Sequence, residues 1–303
     1  MTMRESPFDI KNQEEIIRKE RKANSPFNKL KRNKTAMIGL VIVTVMVIMA
    51  IFAPVLAPQD PNAMKLSKVH LKPGEEGHIF GTDEFGRDIL SRIIYGARIS
   101  IIVAVGGTLV GGSIGILLGL ISGFKGGWVD SLIMRFMDGM LAFPFILLAI
   151  VLMTVLSDMG NNEELNVILA IGIANVPNYA RLVRAQVHVI KNEEFCQAIR
   201  AIGASDTRLV FQHILPNVLS PIIVFASLRI AGAIISEAAL SFLGLGISPP
   251  TASWGNMLKA GKDVLNTAPH VATISGLFIL ITVLGFNLLG DGVRDVLDPK
   301  MKR

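Results

Sequence analysis

The chain has 303 residues, 51% of them hydrophobic and only 18% charged, with a formal net charge of +6 and a mean hydropathy of +0.52. An average soluble domain is about 25% charged. Here the apolar residues are bunched: no charge falls between Thr35 and Gln59 or between Ile99 and Phe124, and each run exceeds the roughly 20 residues that cross a bilayer as a helix. A soluble enzyme, a disordered scaffold and a small disulfide domain are thereby excluded, the last also because Cys196 is the one cysteine.

Residues 1–35 read as a cytoplasmic basic tail. Residues 1–34 hold ten Lys/Arg against five Asp/Glu, which is nearly all of the net charge. Placed before an apolar helix, that charge suits the anionic inner leaflet of a lipid bilayer, so no nucleic-acid partner is expected. Residues 36–56 read as an anchor helix. Pro54 and Pro58 follow the candidate cleavage residues Ala53 and Ala57, so the anchor is read as uncleaved, with its N-terminus in the cytosol.

Residues 57–97 form an extracytoplasmic segment ending in GTDEFGRDILSRIIYGARIS from Gly81. The spacing of Ile89, Ile93 and Ile94 predicts a short amphipathic helix on the outer interface. A membrane core spans 98–291, and 292–303 is a cytoplasmic C-terminal tail. With the anchor, apolar runs at about 98–124, 132–156, 165–181, 214–236 and 271–290 predict six transmembrane helices in an all-α polytopic fold. Under this model twenty Lys/Arg lie inside and eight outside, which agrees with both termini being cytoplasmic.

Four features of the core stand out. Gly107, Gly111, Gly115, Gly119 and Gly123 recur every four residues and predict a smooth helix face for close packing, or alternatively a sliding surface. Arg135 and Asp138 are spaced to pair along one helix. Arg229 and Glu237 lie in or beside the fifth helix, as candidates for a translocation path or gate, with Glu237 expected at the outer interface. The GLGISPP run at Gly244–Pro250 breaks any helix there.

The sequence has no P-loop, no Cys/His cluster with metal-ligand spacing and no hydrolase motif, so the chain is read as not an enzyme. The cytosolic loop 193–216 carries the remaining organised signal. Phe195, Ala198, Ile199 and Ile202 have helical spacing, Gly203 suits a left-handed cap, Ser205 and Asp206 suit the start of a second helix, and Pro216 suits the first turn of the next membrane helix. The loop is therefore a helix–turn–helix knuckle, packed on its own helices or docked into another protein.

This loop resembles the signature of ABC-importer permeases: E-A-A, three residues, G, nine residues, I-x-L-P. Here Gln197-Ala198-Ile199 precedes Gly203, and His213-Ile214-Leu215-Pro216 closes the motif. The departures are at Gln197, Ile199 and His213. The segments FNKLKRNKTAMIGL, GTDEFGRDILSRIIYGARIS, YARLVR, EAALSFLGLGISPPTASWGNML and NLLGDGVRDVLDP resemble the C-type subunit of the dipeptide/oligopeptide/nickel group over roughly residues 26–303. The resemblance implies a type I ABC-importer permease fold in a bacterial or archaeal inner membrane. It implies a second, B-type permease, two cytosolic ATPase subunits carrying ATP and Mg, and an extracytoplasmic solute-binding protein, with no cofactor on this chain. Di- or oligopeptides are the implied cargo, with nickel or another small solute as the alternative. The coupling loop would act through Gln197, Ala198, Gly203, Ala204, Ser205, Asp206, Arg208, Leu215 and Pro216. A stand-alone secondary transporter is the competing class, and an exporter half-unit a third.

Overall fold

The computed structural model describes residues 30–31, 33–160 and 162–297. Most of the basic tail 1–35 and the end of the C-terminal tail 292–303 lie outside them. Among the described residues the chain is helical, with no strand beyond an isolated bridge between Thr82 and Asp88.

Helix α1, Lys34–Ile51, starts at Asn33, whose side chain accepts from the Ala36 amide at 3.2 Å. Helix α2, Ile89–Lys125, is capped by Asp88, which accepts from the Ser91 amide at 2.8 Å. At 37 residues α2 is about 55 Å long, well beyond the hydrocarbon thickness of about 30 Å. Its first turns are therefore the segment predicted as a separate interfacial helix. Ile89, Ile93 and Ile94 are buried inside the fold rather than laid on a surface.

The apolar run predicted as one helix at 132–156 is broken. Helices α3, Gly127–Leu141, and α4, Phe145–Asp158, meet at 97°. Pro144 has no amide hydrogen to donate and forces Phe143 out of the helical region. Helix α5, Glu163–Ile190, is longer than the predicted 165–181 and contains Pro177. After the knuckle come α7, Leu215–Phe242, α8, Trp254–Asp263, and α9, Pro269–Leu297, with α6, Glu194–Ala201, inside the knuckle itself.

Among the described residues four segments can cross a membrane by length and composition: α1, α2, the run from Asp206 to the end of α7, and α9. The bent pair α3–α4 makes a fifth if counted as one span. The expected count of six is not reached, because the uncharged stretch of α5 is only 16 residues, between Glu164 and Arg181, and includes three asparagines.

The most extensive helix contact joins α2 to α5, and the five-glycine stripe is its seam. A Cβ at Gly111 would stand 2.6 Å from the Gly172 carbonyl oxygen, at Gly119 2.7 Å from that of Ala180, and at Gly123 2.8 Å from the Val187 side chain. Lipid is as apolar as leucine, so helices in a bilayer are held by close packing rather than by the hydrophobic effect. Bare glycine faces supply that packing. A smaller seam joins α1 to α9, where Gly39 abuts Gly285 and Leu289.

Replacing Gly115 by Leu forces a side chain against Tyr179 and within 2.7 Å of the Val176 carbonyl. The cost expected for overpacking is about 1–3 kcal/mol or more, read as a lower melting temperature and lower yield of purified protein. Leu118→Met, off the seam, changes both little. Equal tolerance at the two positions contradicts the seam.

Candidate functional site

The knuckle is built as a turn between two helical segments. Gly203 takes φ +85°, and a Cβ there would meet nothing within 4 Å, so a side chain at 203 meets backbone strain and no steric clash. Ser205 Oγ accepts from the Arg208 amide at 3.3 Å and opens the single turn Asp206–Arg208. A π-helical stretch, Leu209–Ile214, follows, with the Leu215 amide donating to the Val210 carbonyl five residues back. Pro216 lies just beyond. In a regular α-helix its ring would crowd the Gln212 carbonyl, and the wider turn relieves that.

The predicted apolar face of α6 is divided between two directions. Cys196 and Ile199 turn inward, into a cluster with Leu120 of α2, Val183 and Val187 of α5, and Leu209, Ile214 and Val218. Burial pushes the Cys196 thiol above its usual range. Phe195 and Ala198 are exposed, Ile202 is 85% exposed and Phe211 is 51% exposed. Gln197, Gly203, Ser205, Asp206, Arg208 and Pro216 are also exposed, while Ala204 and Leu215 are half-buried. One side of the knuckle thus packs on the chain's own membrane helices, and the other is left exposed.

A polar clamp fixes the same end of the seam. Both carboxylate oxygens of Asp130 on α3 accept from Arg184 on α5, each at 2.6 Å, and Ser122 of α2 donates to the same carboxylate. Lys191 Nζ donates to the Gly123 carbonyl at 2.8 Å. Sequence reasoning missed this clamp, since its Asp130–Arg184 and Gly123–Lys191 bonds join residues 54 and 68 positions apart. The predicted Arg135–Asp138 pair does not form. Asp138 pairs with Arg181 of α5 instead, both about half exposed, because α5 lies across α3 where a helical neighbour would have to reach.

Arg229 of α7 stacks over Phe225 at 4.6 Å, and Phe225 meets Tyr179 of α5 edge-on with centroids 4.9 Å apart. No carboxylate stands within ion-pair distance of Arg229 among the described residues. Glu237, expected at the outer interface, is fully buried within the protein. Ser100 of α2 donates to its Oε2 at 3.0 Å and Ser241 to its Oε1 at 2.9 Å. The Ser241 hydroxyl in turn accepts from the Ile247 amide at 3.2 Å, tying the irregular 244–250 segment to two membrane helices. Arg229 and Glu237 are eight residues apart, about 12 Å along the axis, and serve separate environments.

Residues 57–97 fold as a cap on the first turns of α2. Arg87 donates to Asp83 at 2.6 Å, His78 pairs with Asp88 at 2.8 Å, and Arg92 donates to the Pro61 carbonyl at 3.0 Å. Trp254 at the start of α8 lies across Gly96 and donates from Nε1 to the Ile93 carbonyl at 3.0 Å. Among the described residues no group of three or more His, Cys, Asp or Glu is placed to hold a metal ion.

Comparison with known proteins covers nearly all of the chain. Residues 115–303 match the family described as the binding-protein-dependent transport system inner membrane component, and residues 27–73 match the N-terminal transmembrane domain of oligopeptide transport permease C. A dipeptide transport system permease protein of Alkalihalophilus pseudofirmus is 48% identical, over 91% of this chain and 89% of the relative. A di/tripeptide transport system permease protein of Pseudomonas aeruginosa is 43% identical over 89% of each. A glutathione transport system permease protein of Escherichia coli is 46% identical, over 91% of this chain and 90% of the relative.

The Glu237 geometry predicts a graded mutational response. Glu237→Ala leaves the Ser100 and Ser241 hydroxyls without their acceptor and opens a cavity, a loss of about 2–5 kcal/mol. Glu237→Gln keeps an acceptor and the volume, and retains most of that stability. Thermal melting of the purified variants checks the order, and an Ala variant as stable as the parent contradicts the buried tie.

Proposed function

The chain belongs to the family of binding-protein-dependent transport system inner membrane components, and on that premise we propose that it is the C-type permease subunit of an ATP-driven importer of di- or oligopeptides. The peptide cargo follows the named relatives, all of which carry short peptides or glutathione. In this reading α5 is a sixth span, carried by its partners rather than by its own hydropathy, and both termini are cytoplasmic. A B-type permease completes the path, two ATPase subunits bind ATP and Mg beneath it, and an extracytoplasmic binding protein delivers the peptide.

The observation that carries this reading is the knuckle. An exposed apolar strip of Phe195, Ala198 and Ile202 stands on a base rooted in three membrane helices. Such a patch rimmed by polar residues fits a protein partner. We assign the ATPase contact to Gln197, Ala198, Gly203, Ala204, Ser205, Asp206 and Arg208, with Leu215 and Pro216 passing displacement to α7. Arg229 is assigned to the translocation path, as an intramembrane cation held by an aromatic face rather than an acid. Glu237 is assigned to the outer gate as the tie that positions the 244–250 segment.

Gly203→Val places a β-branched residue at positive φ, a strain of about 1–3 kcal/mol, with no steric clash to destabilise the core. The expected result is normal assembly, peptide uptake reduced by more than about tenfold per assembled complex, and ATP hydrolysis no longer stimulated by peptide. Gly203→Ala is intermediate. Normal coupling by the Val variant removes the assigned role of the turn.

Orientation is tested with a Gln197→Cys, Cys196→Ala variant, since Cys196 is 1% exposed and reacts poorly from either side. A membrane-impermeant thiol reagent is expected to label position 197 only after permeabilisation. Labelling in sealed cells overturns the cytoplasmic assignment.

A further inference from the structure

A groove of about 350 Å³ runs between the last turns of α2 and the second arm of the knuckle. Its walls are Leu117, Ile121 and Phe124 on one side and Val210 and Phe211 on the other. One cation lines the groove and a second lies beside its Phe124 wall. Lys125, the last residue of α2, lines it directly, and the Arg200 guanidinium lies 5.3 Å from the centroid of the Phe124 ring. Neither has a carboxylate within ion-pair distance among the described residues, and Asp206 is the one acid among the groove's lining residues. Trp128, 76% exposed, follows just beyond Lys125, as tryptophans do at a bilayer's interfacial level.

We propose that this groove holds an anionic phospholipid of the cytoplasmic leaflet, one acyl chain along the apolar walls and the headgroup phosphate between Lys125 and Arg200. Apolar depth with a basic mouth matches a lipid of that charge, and basic pockets beside membrane helices on this side favour anionic headgroups. A zwitterionic lipid offers the same chain and no net charge to the two cations. The lipid would bridge a membrane helix and the knuckle, so the anionic content of the membrane sets how firmly the knuckle is seated. The proposal rests on the reading of the knuckle side as cytoplasmic.

The test is native mass spectrometry of the permease purified with its associated subunits and exchanged into micelles with phosphatidylglycerol or phosphatidylcholine. Retention of phosphatidylglycerol over phosphatidylcholine is expected, falling about fivefold for each cation removed in Lys125→Gln and Arg200→Gln. The Lys125→Arg, Arg200→Lys variant, which keeps both charges, is expected to retain the lipid, so that a folding defect is not mistaken for a lost site. Equal retention of the two lipids by the parent, or of phosphatidylglycerol by parent and double Gln variant, overturns the proposal. Retention in micelles does not depend on sidedness. Labelling of position 197 from outside sealed cells would therefore undo the cytoplasmic reading without lowering retention, and equal retention would undo the site without moving the label.

Discussion

The fold depends on one contact, the glycine seam between α2 and α5. In water an apolar helix face is driven to its partner, but in lipid the two faces must fit more closely than either fits acyl chains. Gly111, Gly115, Gly119 and Gly123 let backbone meet backbone along α5, and the interval of four residues keeps that face aligned over several turns. The asparagines and arginines of α5 make it a poor membrane helix alone. Paired with α2 it buries Asn166 and Asn175, and the Asn175 side chain donates to the Ile171 carbonyl of its own helix at 3.0 Å.

Both ends of the fold hang from this pair. At one end Asp130, Arg184, Ser122 and Lys191 lock the helices together, and Leu120, Val183 and Val187 form the floor on which the knuckle sits. At the other end Ser100 of α2 reaches Glu237, and Gly96 admits Trp254, so the 57–97 cap and the 244–250 segment rest on the same helix. A displacement at the knuckle therefore meets a rigid strut before it meets the 57–97 cap. The clamp favours a fixed joint over the sliding surface that a regular glycine repeat also allows.

The sequence made the membrane class, the knuckle turn and the seam legible, because each is written in local spacing: uncharged runs, a glycine after an amphipathic segment, a four-residue glycine period. What it did not disclose came from partners distant in the chain. Asp138 pairs with Arg181 rather than Arg135 because the path of α5 decides, and periodicity along α3 carries no trace of that. The position of Glu237 along the chain gave no sign that serines from α2 and α7 enclose it. The bend at Pro144 was visible as a residue, but the unbroken hydropathy on either side masked a 97° turn. On α6 the apolar period marked a face without saying that Cys196 would take the inward place and Ile202 the outward one. That division matters most, since the exposed half is what a partner can grip.

The central claim is that α2 and α5 move as one body. It is tested most directly by a spin-label distance between Leu109 on α2 and Leu165 on α5, both exposed, each replaced by a labelled cysteine in a Cys196→Ala background. The distance is measured in the reconstituted transporter with and without trapped ATP. A fixed joint predicts a single narrow distribution unchanged within about 2 Å. A slide by one glycine repeat moves the helices about 6 Å past each other, and a nucleotide-dependent shift of that size would contradict the account.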